Sequence, residues 1–284
     1  MASIPSDASC SHVVLFPFMA KGHTIPLLQF AQILLCRSTA VTVITTPANH
    51  QFIAELLNCT AASIVTLPFP IAADIPAGVE STDKLPSMSL FTKFGLATSA
   101  MQPHFEQLLE TLPRVSFMVT DAFLWWTLHS AKKLGIPRLV FYGMSCYSYC
   151  LSMVAKSSGI FSGSQRDDEL VALSRFPWIK LSKEYFTLNY RDPKPKSLEY
   201  IFSMEVSSST YNSYGMLVNS FYELEPLFAA NCNTQCDGSF RNWCVGPLCL
   251  AEQTPKKVHS EPGVKPRWVQ WLDKKLEKKC WNNI

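Results

Sequence analysis

Residues 12–36 read HVVLFPFMAKGHTIPLLQFAQILLC, and this stretch decides the fold. His12 to Phe18 is a short apolar run rich in Val, Leu and Phe, the pattern of a strand buried on both faces of a parallel sheet. A glycine-containing turn follows, and then Leu27, Leu28, Ala31, Leu34 and Leu35 recur at helical spacing. Thr24 is expected to cap that helix. Pro26 is expected in its first turn, where a missing N–H breaks no hydrogen bond. His23 then sits at the carboxyl end of a first strand, beside a helix amino terminus.

Working outward, strand-like and helix-like segments alternate. Residues 40–46 (AVTVITT), 63–68 (SIVTLP), 117–123 (FMVTDAF), 137–142 (PRLVFY), 215–221 (GMLVNSF) and 243–247 (WCVGP) read as further strands. Helices are expected from Pro47 to Leu57, over 125–134, from a start near Ser145, and over 200–214. The apolar positions between Ser89 and Leu112 predict one long amphipathic helix that tolerates Pro103. The Pro-, Gly- and Asp-rich residues 68–86 form a long loop, whose length points to function. Residues 160–198 read as irregular. Such alternation predicts an α/β fold with a Rossmann-like, doubly wound parallel sheet.

Composition narrows the function. The chain has 284 residues, 48% of them hydrophobic, enough for a full core. A net charge of +3 gives no reason to expect a nucleic-acid partner. The apolar run after the polar first eleven residues is too short to span a bilayer and resembles no secretory signal, so a cytoplasmic protein is expected. The 10 cysteines are scattered, as for reduced thiols, and none stands at zinc-site spacing with histidines, so no metal is expected. Residues 1–250 are read as one domain and 251–267 as a linker with three prolines and four Lys/Arg. Residues 268–284 read as the aborted start of another domain.

In a sheet of order 3-2-1-4-5-6, strands one and four meet where the order reverses, and ligands bind outside their carboxyl ends. His23 follows strand one and Asp121 ends strand four. A carboxylate beside an imidazole fixes its tautomer and stabilises the imidazolium, which suits a general base acting on a hydroxyl. The residues alone leave a plainer reading equally open, with His23 a loop histidine and Asp121 a helix cap. There is no G-x-G-x-x-G, Walker lysine or G-x-S-x-G motif, which disfavours dinucleotide enzymes and serine hydrolases.

The segments FPFMAKGHTIPLLQFAQIL, AVTVITTP, VTDAF, IPRLVFYGMS, MLVNSFYELEP, WCVGPL and WVQWLD, in that order, resemble the amino-terminal half of a plant family 1 UDP-dependent glycosyltransferase. The resemblance implies the GT-B architecture of two Rossmann-like halves, the first holding a small lipophilic hydroxylated acceptor and the second the UDP-sugar. It implies His23 as general base and Asp121 as its partner in an inverting transfer. Met19 and Phe123 become acceptor-pocket walls. Gly22, Thr24, Ser145 and the helix behind Ser145 become donor contacts. UDP-sugar is a co-substrate, and no other cofactor is implied.

Two departures stand out. Met144 occupies a place where many relatives carry a sugar-contacting threonine. The UDP-sugar signature box is missing, and residues 274–284 read KKLEKKCWNNI. The chain is therefore expected to be truncated before that box and inactive until a donor domain is supplied. A non-catalytic acceptor-binding or interaction protein of the same descent is the second reading.

Overall fold

The computed structural model describes residues 11–157, 166–186, 197–234, 241–251, 267, 270 and 271. Strand β1 (His12–Phe16) lies inside the sheet, between two other strands, and Val13 to Phe16 are each 0% exposed. Its side chains alternate between two cores. Val13 and Leu15 pack with Leu27, Leu28 and Ala31 of α1 (Lys21–Cys36), while Val14 and Phe16 pack with Met118, Phe105 and Trp126. Covering both faces explains why the strand is apolar from Val13 to Phe16.

The remaining strands of the sheet are β2 (Ala40–Thr45), β3 (Ser63–Thr66), β4 (Phe117–Asp121), β5 (Arg138–Tyr142), β8 (Gly215–Val218) and β9 (Arg241–Cys244). They form one sheet of 7 strands in the order β3-β2-β1-β4-β5-β8-β9, every pair parallel. This is the doubly wound order expected, extended by a seventh strand. Helices α2 (Pro47–Leu56), α3 (Phe91–Ala97), α4 (Gln102–Thr111), α5 (Thr127–Leu134), α6 (Cys146–Ser157), α7 (Leu198–Tyr211) and α8 (Pro226–Thr234) connect and flank it. Within the region expected to be irregular, β6 (Val171–Ala172) and β7 (Lys180–Leu181) pair as a small antiparallel ribbon.

Two local expectations are corrected. Helix α1 begins a turn earlier than Thr24, because Ala20 is its N-cap and the N–H groups of His23 and Thr24 both donate to the Ala20 carbonyl (2.9 and 2.8 Å). Thr24 therefore sits inside the helix and donates its hydroxyl to the Phe18 carbonyl (3.1 Å). Pro26 lies beyond the first turn, so its missing N–H removes the helical partner of the Gly22 carbonyl. The expected single helix from 89 to 112 is interrupted by a 3₁₀ segment, Thr98–Met101, and α4 starts with Pro103 in its first turn. Pro103 has no N–H for the Ser99 carbonyl and its ring crowds that carbonyl, so the tighter turn carries the chain past it.

The chain divides into a compact unit, Met1–Ala251, and a second unit, Glu252–Ile284. The expected linker and domain start, residues 251–284, lie outside the described residues apart from 251, 267, 270 and 271. Among the described residues no helix is long and apolar enough to cross a membrane.

Candidate functional site

Strands β1 and β4 are parallel neighbours with Phe16 opposite Thr120, so the residues that follow each strand emerge side by side. β2 lies on the other flank of β1, which makes this the point where the strand order reverses. The chain leaving β1 turns at Ala20, whose N–H donates to the Phe18 carbonyl (2.7 Å), and presents His23 in the first turn of α1. Asp121 closes β4. Its Oδ2 lies 2.7 Å from His23 Nδ1, across 98 residues of sequence.

The pair is held on every side. Asp121 is 0% exposed, and its Oδ1 accepts the Phe123 N–H (2.9 Å). The His23 ring packs against both Phe18 and Phe123, with centroids 5.7 and 5.1 Å away, and those two rings also touch each other (5.3 Å). A carboxylate accepts only from a protonated Nδ1, so the neutral ring carries its lone pair on Nε2. Burial opposes charge on this imidazole. The Coulombic attraction and hydrogen bond of Asp121 together outweigh burial, and the pKa of His23 is raised.

The sign of the linked stability follows. A raised pKa contributes stability that is complete below the ordinary value of 6.5 and is lost as pH rises through the folded-state value. Urea denaturation across that window should show the unfolding free energy falling with pH more steeply in the wild type than in His23→Gln. Equal slopes would mean that the pair does not exist in solution.

Gly22, His23, Asp121 and Phe123 line a cavity of about 230 Å³, together with Tyr142, Gly143 and Met144 from the end of β5. Gly143 permits a close approach, since a Cβ there would stand 3.3 Å from the Gly22 carbonyl. Met144 brings an apolar side chain, 38% exposed, to the rim.

Three residues expected at the site do not line this cavity. Met19 is 3% exposed in the core, with its carbonyl accepting from Thr82 N–H (2.9 Å). Thr24 faces a second cavity of about 510 Å³ between α1, α2 and residues 77–84 of the long loop. Of the charged groups there, Lys21 pairs with Asp83 (3.5 Å), and Glu80 accepts the Ala48 N–H at the start of α2 (2.8 Å). Ser145 is the N-cap of α6, its hydroxyl accepting the Ser148 N–H (3.2 Å).

The α6 amino terminus, expected to face phosphates, is filled from within. Glu225 accepts the N–H groups of Cys146 (2.8 Å) and Tyr147 (2.7 Å), and the Ser220 hydroxyl also bonds to its carboxylate. Unpaired N–H groups and the helix dipole favour an anion there, and the chain supplies its own. No sequence signal marked Glu225, because its partners lie 78 and 79 residues away. Among the described residues, no group of 3 or more His, Cys, Asp or Glu is arranged to hold a metal ion.

A doubly wound parallel domain with a His–carboxylate pair at its switch point defines the chain as a Rossmann-like α/β domain with a candidate general base. No family model matches the chain. It is 48% identical over 275 residues to UDP-glycosyltransferase 90A1 of Arabidopsis thaliana, covering 94% of this chain and 56% of the relative. UDP-glycosyltransferase 90A2 of the same plant is 44% identical over 277 residues, covering 95% and 59%. Among solved structures, Glycyrrhiza uralensis UGT73P12 complexed with glycyrrhetinic acid 3-O-monoglucuronide aligns with a TM-score of 0.76 at 27% identity, over 94% of this chain and 55% of that one. Arabidopsis thaliana UGT89C1 complexed with UDP-L-rhamnose aligns with a TM-score of 0.63 at 25% identity, over 92% and 55%.

The chain is similar over nearly its whole length to the amino-terminal half of plant UDP-glycosyltransferases, and its fold is that of a Rossmann-like half of the GT-B class. It spans about half the length of the curated relatives it matches, 56% and 59% of the first two.

Proposed function

We propose that this chain is the acceptor-binding half of an inverting, UDP-sugar-dependent glycosyltransferase, with His23 as general base. The observation that carries the reading is the 2.7 Å contact between His23 Nδ1 and the buried Asp121, at a cavity open to a ligand. An acceptor hydroxyl bonded to Nε2 gives up its proton as its oxygen attacks the anomeric carbon, and UDP departs from the opposite face. Asp121 stabilises the imidazolium so formed and fixes the ring's tautomer. No covalent bond to the enzyme is made.

Phe123 supports the acceptor as an aromatic wall, and the acceptor is a small lipophilic molecule with a hydroxyl group. Gly22 lets the donor approach the helix end. Met19, Thr24 and Ser145 serve this site by holding the turn, helix α1 and helix α6 in place. UDP-sugar is a co-substrate, and the reading assigns no metal or other resident cofactor, because the acceptor proton goes to His23. The net charge of +3 offers no footprint for nucleic acid. Buried thiols such as Cys146 and Cys150 suit a reducing cytoplasm.

Residues 1–250 form the acceptor domain in this reading, 251–267 the linker, and 268–284 the beginning of the donor side. Catalysis requires donor and acceptor to be held together. These 284 residues are therefore expected to bind acceptors without turnover until a donor half is supplied. The test joins the chain to the donor half of the Arabidopsis thaliana relative 90A1 and supplies UDP-glucose with a panel of phenols. Glucoside formation, read by mass spectrometry, supports the proposal. Phenol binding by calorimetry without any transfer by the fusion would contradict it and indicate a non-catalytic acceptor-binding protein.

A further inference from the structure

An arginine opens the strand PRLVFY, and it is among the largest fully buried side chains: Arg138 is 2% exposed. A cation out of water is costly unless it is paired, so its surroundings decide whether it is tolerated. Nε donates to Thr120 Oγ1 (2.7 Å), Nη1 to Ser213 Oγ (2.7 Å) and the Ser209 carbonyl (3.4 Å), and Nη2 to the Asp121 carbonyl (3.3 Å). All four acceptors are neutral, and among the described residues no carboxylate lies within ion-pair distance. Thr120 and Asp121 end β4, so the guanidinium is tied to the backbone of the residue whose carboxylate holds His23.

Among the described residues, few ionisable groups interact with this cluster. They are His23 from α1, Asp121 from β4, and Arg138 and Tyr142 from β5. Helix α7 contributes the neutral Ser209 and Thr210, with Ser213 just beyond it, and α5 contributes the neutral Thr127. Lys21, near His23 on α1, is engaged with Asp83. Burial pushes the Arg138 guanidinium down to about 10, against the attraction of Tyr142 and Asp121, so it remains charged at neutral pH.

We propose that Arg138 is a positioning residue for the His23–Asp121 pair: its buried cation balances the Asp121 carboxylate, so that His23 rests as a neutral imidazole able to accept a proton. The inference rests on the reading of His23 as the base. With Arg138 present, the cluster of neutral imidazole, carboxylate and guanidinium carries no net charge, and protonation makes it positive. Without Arg138, the neutral imidazole leaves one uncompensated buried anion, and protonation cancels it. The cation therefore restrains the proton affinity that Asp121 confers on His23, and it pins the end of β4 through the Asp121 carbonyl.

The test follows the His23 ring nitrogens by NMR titration of the full chain labelled with ¹⁵N-histidine, assigned by comparison with His23→Gln. In Arg138→Gln the His23 pKa is expected to rise by about one pH unit, the size of effect a close charge produces. Arg138→Lys, which keeps the cation, is expected to restore it towards the wild-type value. Ser213→Asp retains the arginine and pairs it with a new carboxylate, so it is expected to raise the His23 pKa as well. It decides the matter if Arg138→Gln does not fold. A purely structural arginine would alter stability and leave this titration unmoved. A His23 pKa at or below the wild-type value in the folded charge-removing variant would overturn the proposal. Because the readout is a ring titration, that outcome leaves sugar transfer by the fusion unaffected, and failure of transfer leaves the titration result standing.

Discussion

Replacing His23 with alanine is expected to lower kcat of the chain fused to a donor half by roughly 10³-fold, within the 10²–10⁴ typical of a general base. The acceptor KM should change little, because the walls formed by Phe123, Tyr142 and Met144 remain. Loss of kcat alone is the mark of an interaction made in the transition state. Raising the pH should restore part of the rate with phenol acceptors, since a phenolate needs no base to remove its proton. A loss confined to KM, with kcat preserved, would make His23 a binding residue and remove the proposed chemistry.

The largest effect on stability is expected at Trp126. The side chain is 0% exposed and meets Phe105 and Phe16 edge-on, with centroids 5.4 and 6.1 Å away. Its Nε1 donates to Thr98 Oγ1 (3.0 Å), which ties the turn after β4 to the 3₁₀ segment before α4. Trp126→Ala is expected to cost about 3–5 kcal/mol, combining lost burial with an unfilled cavity. That is a large part of the roughly 5–15 kcal/mol that holds a typical domain together. Urea denaturation followed by circular dichroism should show a much lower midpoint, and Trp126→Phe should recover part of the loss. A change below about 1 kcal/mol would mean that this core is not packed as described.

Much of this was legible in local pattern. The β1–turn–α1 unit is written in residues 12–36, and the alternation of strands and helices points to a parallel sheet, whose order is that of a common doubly wound fold. His23 and Asp121 were found because each falls at the carboxyl end of a strand, where the fold itself brings them together. Ser145 was also legible, as a serine directly before a helix. What escaped depends on tertiary partners. Pro26 is tolerated inside α1 because its neighbours Leu27 and Leu28 are fixed in the core. Met19 stands beside the site in sequence, but the turn at Ala20 directs it inward. The occupant of the α6 amino terminus, Glu225, comes from beyond β8, and nothing in the local composition points to it. Arg138 passed without remark inside the strand pattern PRLVFY, although a charge opening an apolar strand is an unusual placement for a residue rarely buried unpaired, and its tie to Asp121 exists only in three dimensions.

The most direct measurement is the pKa of His23 in this chain and in Asp121→Asn, by NMR of the labelled ring nitrogens. In the wild type it should lie above the ordinary value of 6.5, with Nδ1 protonated. In Asp121→Asn the attraction is gone while burial remains, so it should fall below that value. An unchanged His23 titration in the two proteins would show that the imidazole and the carboxylate do not act as one unit.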